Sequence, residues 1–221
     1  MNRNYVNIGL ALLVAVLLIV FVLVARPSLV PGSSGAITVS TSTIQADTAI
    51  YTIHADYPVF GITDLDEAIL GAVHVGVADI EGTPANPSPN DIKNTFTSTF
   101  DSVYTDPDIA SARVILSEYT GGAHNISVAA TFNYNRQTHS FFTLGDVLHM
   151  TGLSLRQLSA DAQTQLTAKY GSVQFPDGIA ATSTNFAAFT IDKDNVTFTL
   201  QEYQAEPYSD GMPQVVVPRV L

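Results

Sequence analysis

The run Ile8–Ala25, IGLALLVAVLLIVFVLVA, constrains this chain more than any other feature. It holds 18 residues without a charge, the length at which an apolar helix begins to span a bilayer. It is longer than most signal-peptide cores, and Arg26-Pro27 directly behind it makes a poor cleavage context. Arg3 precedes the run and Arg26 comes after it, so charge asymmetry is weak. The short head and long acidic remainder favour the head inside and the remainder outside. The expectation is a membrane anchor over 1–26, single-pass in the cell membrane, with the C-terminal domain outside. The competing reading is a cleaved signal peptide with Ala25 before the cut.

Charge narrows the partners. The chain carries 9 Lys+Arg and 20 Asp+Glu, a formal charge of −11. Arg3 is the one charged residue of 1–25, so residues 26–221 carry −12. A phosphate backbone needs clustered bases, so nucleic acid is excluded. A cationic protein partner suits the balance. With no cysteine there is no disulfide, thiolate chemistry, zinc–thiolate site or lipid-modified cysteine.

Residues 27–45 read as a flexible tether, because Pro27–Thr43 is uncharged and dominated by Pro, Gly, Ser and Thr. Ile44 is the expected first ordered apolar residue. Ala49–Tyr57 then alternates, with Tyr51, Ile53, Ala55 and Tyr57 on one face, and predicts a half-buried strand. Asp64 with Glu67 predicts a capping box for a helix running to about Ile80, with Leu65, Ile69, Val73 and Val77 inward. Glu81–Asn90 holds three prolines and predicts a loop. Asn90 predicts the cap of a second helix whose face is Ile92, Phe96, Phe100 and Val103.

The second half reads as strand-rich. Arg113–Tyr119 and Ile126–Asn135 form a hairpin, and Thr120–His124 is its turn, because paired glycines permit positive φ. Ser140–Phe142 is a short strand, Thr143 caps a helical turn, and Ser154–Tyr170 is a helix stopped by Gly171. Phe186–Ile191 and Val196–Tyr203 flank the turn Asp192–Asn195, and Gln214–Pro218 is a terminal strand. The fold class is α+β: antiparallel sheet or sheets with two or three packed helices, after one N-terminal transmembrane helix. One shared core is expected over about 45–221, including Tyr51, Ile53, Phe96, Phe100, Ile115, Phe132 and Phe198.

Chemistry-bearing motifs are absent from the sequence. There is no Walker lysine motif, GxGxxG, HExxH or GxSxG. His54, His74, His124, His139 and His149 form no HxH or HxxxH pair and read as single histidines. Asp64–Glu67 is better explained by helix capping than by a cation, and Asp192–Asn195 lacks the glycine and distal glutamate of a calcium loop. No nucleophile–base or metal-ligand spacing singles out a catalytic residue, so no catalytic, metal or cofactor site is expected.

Two stretches carry a resemblance: Glu118–Leu148, EYTGGAHNISVAATFNYNRQTHSFFTLGDVL, and Phe198–Pro218, FTLQEYQAEPYSDGMPQVVVP. Their order resembles the extracytoplasmic domain family shared by the anti-sigma factor RsiV and the peptidoglycan deacetylase PdaC. Upstream, Tyr51–Ala72 resembles the N-terminal segment of PdaC-like proteins. The resemblance implies a PdaC-like segment over 46–112 and an RsiV-like module over 113–221. Only Met1–Asn7 precede the apolar run, where an anti-sigma factor needs a cytoplasmic segment to hold its sigma factor. The chain stops at Leu221, where a deacetylase needs a separate catalytic domain. Neither named activity therefore carries over. The resemblance implies a binding module of the bacterial cell envelope, with a lysozyme-like protein or peptidoglycan as ligand. The alternatives are a structural envelope protein without ligand, or a glycan hydrolase or deacetylase-associated domain. The family motifs fall on loop-type residues at Thr120, Gly121, Gly122 and His124, and at Glu206, Tyr208 and Asp210, which are the candidate partner-binding residues. Tyr208 offers an aromatic anchor, and Glu206 and Asp210 offer negative charge.

Overall fold

A computed structural model describes residues 37–86 and 92–220. The anchor over 1–26, most of the tether and the Asn90 cap lie outside these residues. Among the described residues, no helix is long and apolar enough to cross a membrane.

Six strands form one sheet in chain order: β1 (Ser40–Asp47), β2 (Tyr51–Val59), β3 (Asn94–Thr105), β4 (Ile109–Tyr119), β5 (Ile126–Asn135) and β6 (Ser140–Phe141). β1 corrects the tether expectation. Its polar residues alternate with Ser42, Ile44 and Ala46, whose half-buried side is enough to pair the segment with β2 over eight regular positions. β2 and β3 pair in parallel, whereas neighbouring hairpins had implied antiparallel order throughout. The reason is the helix between them, α1 (Thr63–Gly82), which carries the chain back across one face as a crossover. α1 begins without the predicted Asp64 cap. No side chain caps its first turn; Asp66 instead ties down the incoming loop, accepting from the backbone N–H of Phe60 at 2.7 Å and of Gly61 at 2.8 Å.

The second predicted helix is strand β3. Phe96 and Phe100 are four apart, a spacing that satisfies one helical face and also one strand face. Tertiary context chose the strand: Thr95, Thr97, Thr99 and Thr105 are β-branched, and Phe96 and Ser98 point into the core. Ile92 and Val103, assigned to the same helical face, are exposed.

Two short helices come next, α2 (Leu144–Thr151) and α3 (Leu155–Tyr170). Both open with reciprocal capping boxes, Thr143 with Asp146 and Ser154 with Gln157. A second, antiparallel sheet holds β7 (Phe189–Ile191), β8 (Asn195–Thr199) and β9 (Gln214–Pro218). The molecule is α+β, dominated by antiparallel pairing, with three helices among the described residues.

The expected single core is two clusters. α1 and the facing side of the large sheet enclose Ile53, Ile69, Phe96, Val114 and Phe132, with Tyr51 and Phe100 at the margin. α3 and the small sheet enclose Leu158, Leu166, Phe186, Phe198 and Val215, joined by Ile109. Alternation along β4 divides the labour: Ala110, Ala112, Val114 and Leu116 face α1, so Ile115 is only half-buried. On the other side, Ser111, Thr131 and Asn133 bond to Phe189 and Ile191 and attach the small sheet through buried polar contacts.

Candidate functional site

The β4–β5 turn and the segment after β8 meet at one place. The turn is built as its glycines require, with φ of 102° at Gly121 and 132° at Gly122. Tyr119 Oη donates to the Gly122 carbonyl at 3.2 Å and steadies it.

The arriving segment is held by side-chain amides. Gln201 imitates a strand against the free edge of β5: Oε1 accepts from Ala129 N–H at 2.8 Å, and Nε2 donates to the Ala129 carbonyl at 3.0 Å. Glu202 Oε2 accepts from Ser127 N–H at 3.0 Å. Gln204 Nε2 then donates to the carbonyls of Gly178 and Asn185, and a Cβ at Gly178 would lie 1.7 Å from the Gln204 carbonyl oxygen. These fastenings hold Tyr203 at φ 61°, a left-handed conformation that costs a tyrosine roughly 1–2 kcal/mol.

Tyr203 is thereby delivered to His124. His124 Nδ1 lies 2.6 Å from the Asn125 carbonyl, which can only accept, so Nδ1 carries the proton. The other nitrogen, Nε2, hydrogen-bonds Tyr203 Oη at 3.0 Å. Tyr208 stacks on the imidazole at 3.7 Å between centroids and 20° between planes. Tyr203 and Tyr208 lie 5.8 Å apart at 29°. Tyr203 is 51% exposed and Ile126, at the start of β5, is 43% exposed. The result is an aromatic platform in place before any partner arrives.

Of the predicted residues, the fold brings His124 and Tyr208 into contact and leaves Thr120, Gly121, Gly122 and Asp210 exposed or at the surface around them. Glu206 does not present its charge. It is 1% exposed, and its Oε1 has no hydrogen-bond partner among the described residues. The loop turns it inward together with its neighbour Ala205, which is also buried. The sequence reading missed Tyr203, Glu202, Gln201 and Ile126. It placed Tyr203 as the last residue of a strand, and nothing local announces a left-handed tyrosine. Neither 120–127 nor 201–212 contains Lys or Arg, while Glu202 and Asp210 add negative charge.

Just before the turn, Glu118 faces Asp79 of α1. Burial, reinforced by the Asp79 charge and hydrogen bond, pushes the Glu118 carboxyl up to about 7. Among the described residues, no cluster of three His, Cys, Asp or Glu is arranged to hold a metal.

The geometry defines a cluster of three stacked rings at the surface of an α+β domain, and similarity to known proteins agrees on the fold. Residues 142–219 match the family described as "Protein of unknown function (DUF3298)". That stretch runs from just before α2 through β9 and includes Tyr203 and Tyr208, but not the β4–β5 turn. The chain is similar to the crystal structure of a DUF3298 family protein from Pseudomonas aeruginosa PAO1, with TM-score 0.56 and 14% identity over 84% of this chain and 92% of that one. It is also similar to a DUF3298 family member from Bacteroides fragilis NCTC 9343, with TM-score 0.54 and 17% identity over 84% and 91% of the two chains. At such identity the likeness is one of fold. No curated protein matches the chain.

Proposed function

We propose that this chain is a membrane-anchored binding module of the bacterial cell envelope that takes a cationic, lysozyme-like protein on the His124–Tyr203–Tyr208 face. The observation that carries this reading is the convergence of two distant segments into one pre-stacked aromatic platform, the two segments holding carboxylates and no Lys or Arg. Tyrosines lose little entropy on docking and are enriched among interface residues that carry binding energy. The acidic remainder would steer a basic partner toward them. The RsiV-like and PdaC-like motifs support the same reading, because they fall on Thr120–His124 and on Glu206–Asp210.

Calorimetric titration of the full chain with a lysozyme tests it, at low and at physiological salt. Binding should weaken as salt rises, because exposed charges are screened. Tyr208→Ala should weaken it about 30-fold, the effect of losing roughly 2 kcal/mol of aromatic anchoring. Absence of binding, or a folded Tyr208→Ala variant that binds as tightly as the parent, refutes the reading. Binding of soluble peptidoglycan fragments in place of lysozyme would transfer the same face to a glycan ligand.

A further inference from the structure

A sheet edge offers unpaired N–H and C=O groups to any passing strand, and folded proteins block such edges. In this molecule the blocking is done by side chains. Gln201 and Glu202 occupy the free edge of β5. Thr131, Asn133 and Ser111 occupy the edge of β7. Gln165 of α3 takes both the N–H and the C=O of Val216 on β9, at 3.0 and 2.9 Å. β6 is only two residues long.

β1 departs from this pattern. Its eight residues pair with β2 without a bulge, and among the described residues no side chain takes the backbone groups on its outer side. STSTIQAD contains no proline and no lysine, the usual deterrents at an edge. Its one charge, Asp47, is neutralised within the molecule by Lys93. In a chain of net −11, this is an edge at which two acidic copies meet at low electrostatic cost. The side of β1 that faces α1 is also incompletely covered: Ile44 packs against the core yet remains half-buried.

We propose that β1 pairs antiparallel with β1 of a second copy, about a two-fold axis through Ile44, joining two six-stranded sheets into one. The pleat sets the register. Residues directly opposite each other share a face, so keeping both α1 layers on one side requires like-parity partners. Centred on Ile44, the pairing sets Ile44 against its own copy, Thr43 against Gln45, Ser42 against Ala46, and Thr41 against Asp47. An apolar pair then lies on the axis, no like charges face each other, and the contact is isologous and closed.

The absence of native cysteine makes the register testable in the full chain purified in detergent. Thr43→Cys and Gln45→Cys chains, both altered at exposed positions, should form a mixed disulfide several-fold faster than either variant alone. They should also outpace a mixture with Thr182→Cys, an exposed control in the loop before β7. Sedimentation should show a dimer that salt strengthens, since screening relieves repulsion between acidic copies. This is opposite to the salt response proposed for the partner site, so each idea can fail alone. Ile44→Lys should return the particle to a monomer, with its fold checked by circular dichroism. A monomer at all concentrations, or cross-linking no faster than with the control, overturns the proposal. So does a monomer whose β1 amides resist hydrogen exchange, which would show the edge covered by another segment of its own chain.

Discussion

Gly76 offers a test in which two well-understood effects oppose each other. It lies inside α1, where alanine normally gains about 1 kcal/mol over glycine. A Cβ there would stand 2.2, 2.4 and 2.9 Å from three ring carbons of Phe96. Ordinary contact is near roughly 3.5–4.0 Å, so the ring or the helix must retreat by more than about 1 Å. Phe96 is fully buried in the cluster beneath α1, so the ring has no empty space to enter. Overpacking of this kind costs about 3 kcal/mol, the upper part of its usual range. Gly76→Ala should therefore destabilise the fold by about 2 kcal/mol and lower Tm by roughly 4–8 °C for a domain of this size. Gly71, on the same helix, has nothing within 4 Å of its added Cβ. Gly71→Ala should raise Tm by roughly 2–4 °C through propensity alone. Thermal unfolding followed by circular dichroism reads both. Combining Gly76→Ala with Phe96→Leu should recover part of the loss, with a coupling of about 1–3 kcal/mol. The reasoning fails if Gly76→Ala melts at or above the parent, or if the cycle shows no coupling.

Three further outcomes are expected. Phe198 is fully buried, with Phe186 edge-on at 5.8 Å, so Phe198→Ala should cost about 3–5 kcal/mol in denaturant unfolding. Ser154 accepts from Gln157 N–H at 3.3 Å while Gln157 Oε1 accepts from Ser154 N–H at 2.9 Å, and Ser154→Ala should cost about 1 kcal/mol by the same assay. Glu118 titrates at about 7 in the folded chain and near 4.5 when unfolded. Its contribution is complete below the unfolded value. As pH rises between the two, the unfolded carboxyl ionises first and stability falls, by on the order of 1–2 kcal/mol after allowance for solvent screening. Glu118→Gln should flatten the decline across that window, and an unchanged slope would show that burial beside Asp79 does not raise the Glu118 carboxyl.

Much of the fold was legible locally. Ile126–Asn135 alternates because one side meets the core, and it is a strand with the predicted ends. Thr143 and Ser154 cap helices because a hydroxyl and an acceptor three residues on satisfy the same orphan N–H groups wherever they occur. Gly121-Gly122 could be placed in a turn because positive φ is cheap only for glycine. Phe96 and Phe100 could not be decided this way, since a four-residue interval fits both periods and only the sheet supplied a reason for one. The same holds for β1, whose polar residues are a strand because β2 lies beside them.

Of the candidate site, sequence by itself placed His124 and Tyr208 on two loops and set the acidic balance around them. Tertiary structure decided that the loops touch, that Tyr203 joins them in a left-handed conformation, and that Glu206 turns inward. The physical reason is range. Alternation, capping and glycine turns are settled by interactions within a few residues along the chain. The Gln201 amide on Ala129 and the Tyr203 hydroxyl on His124 cross 72 and 79 positions, and exist only once both sheets have formed.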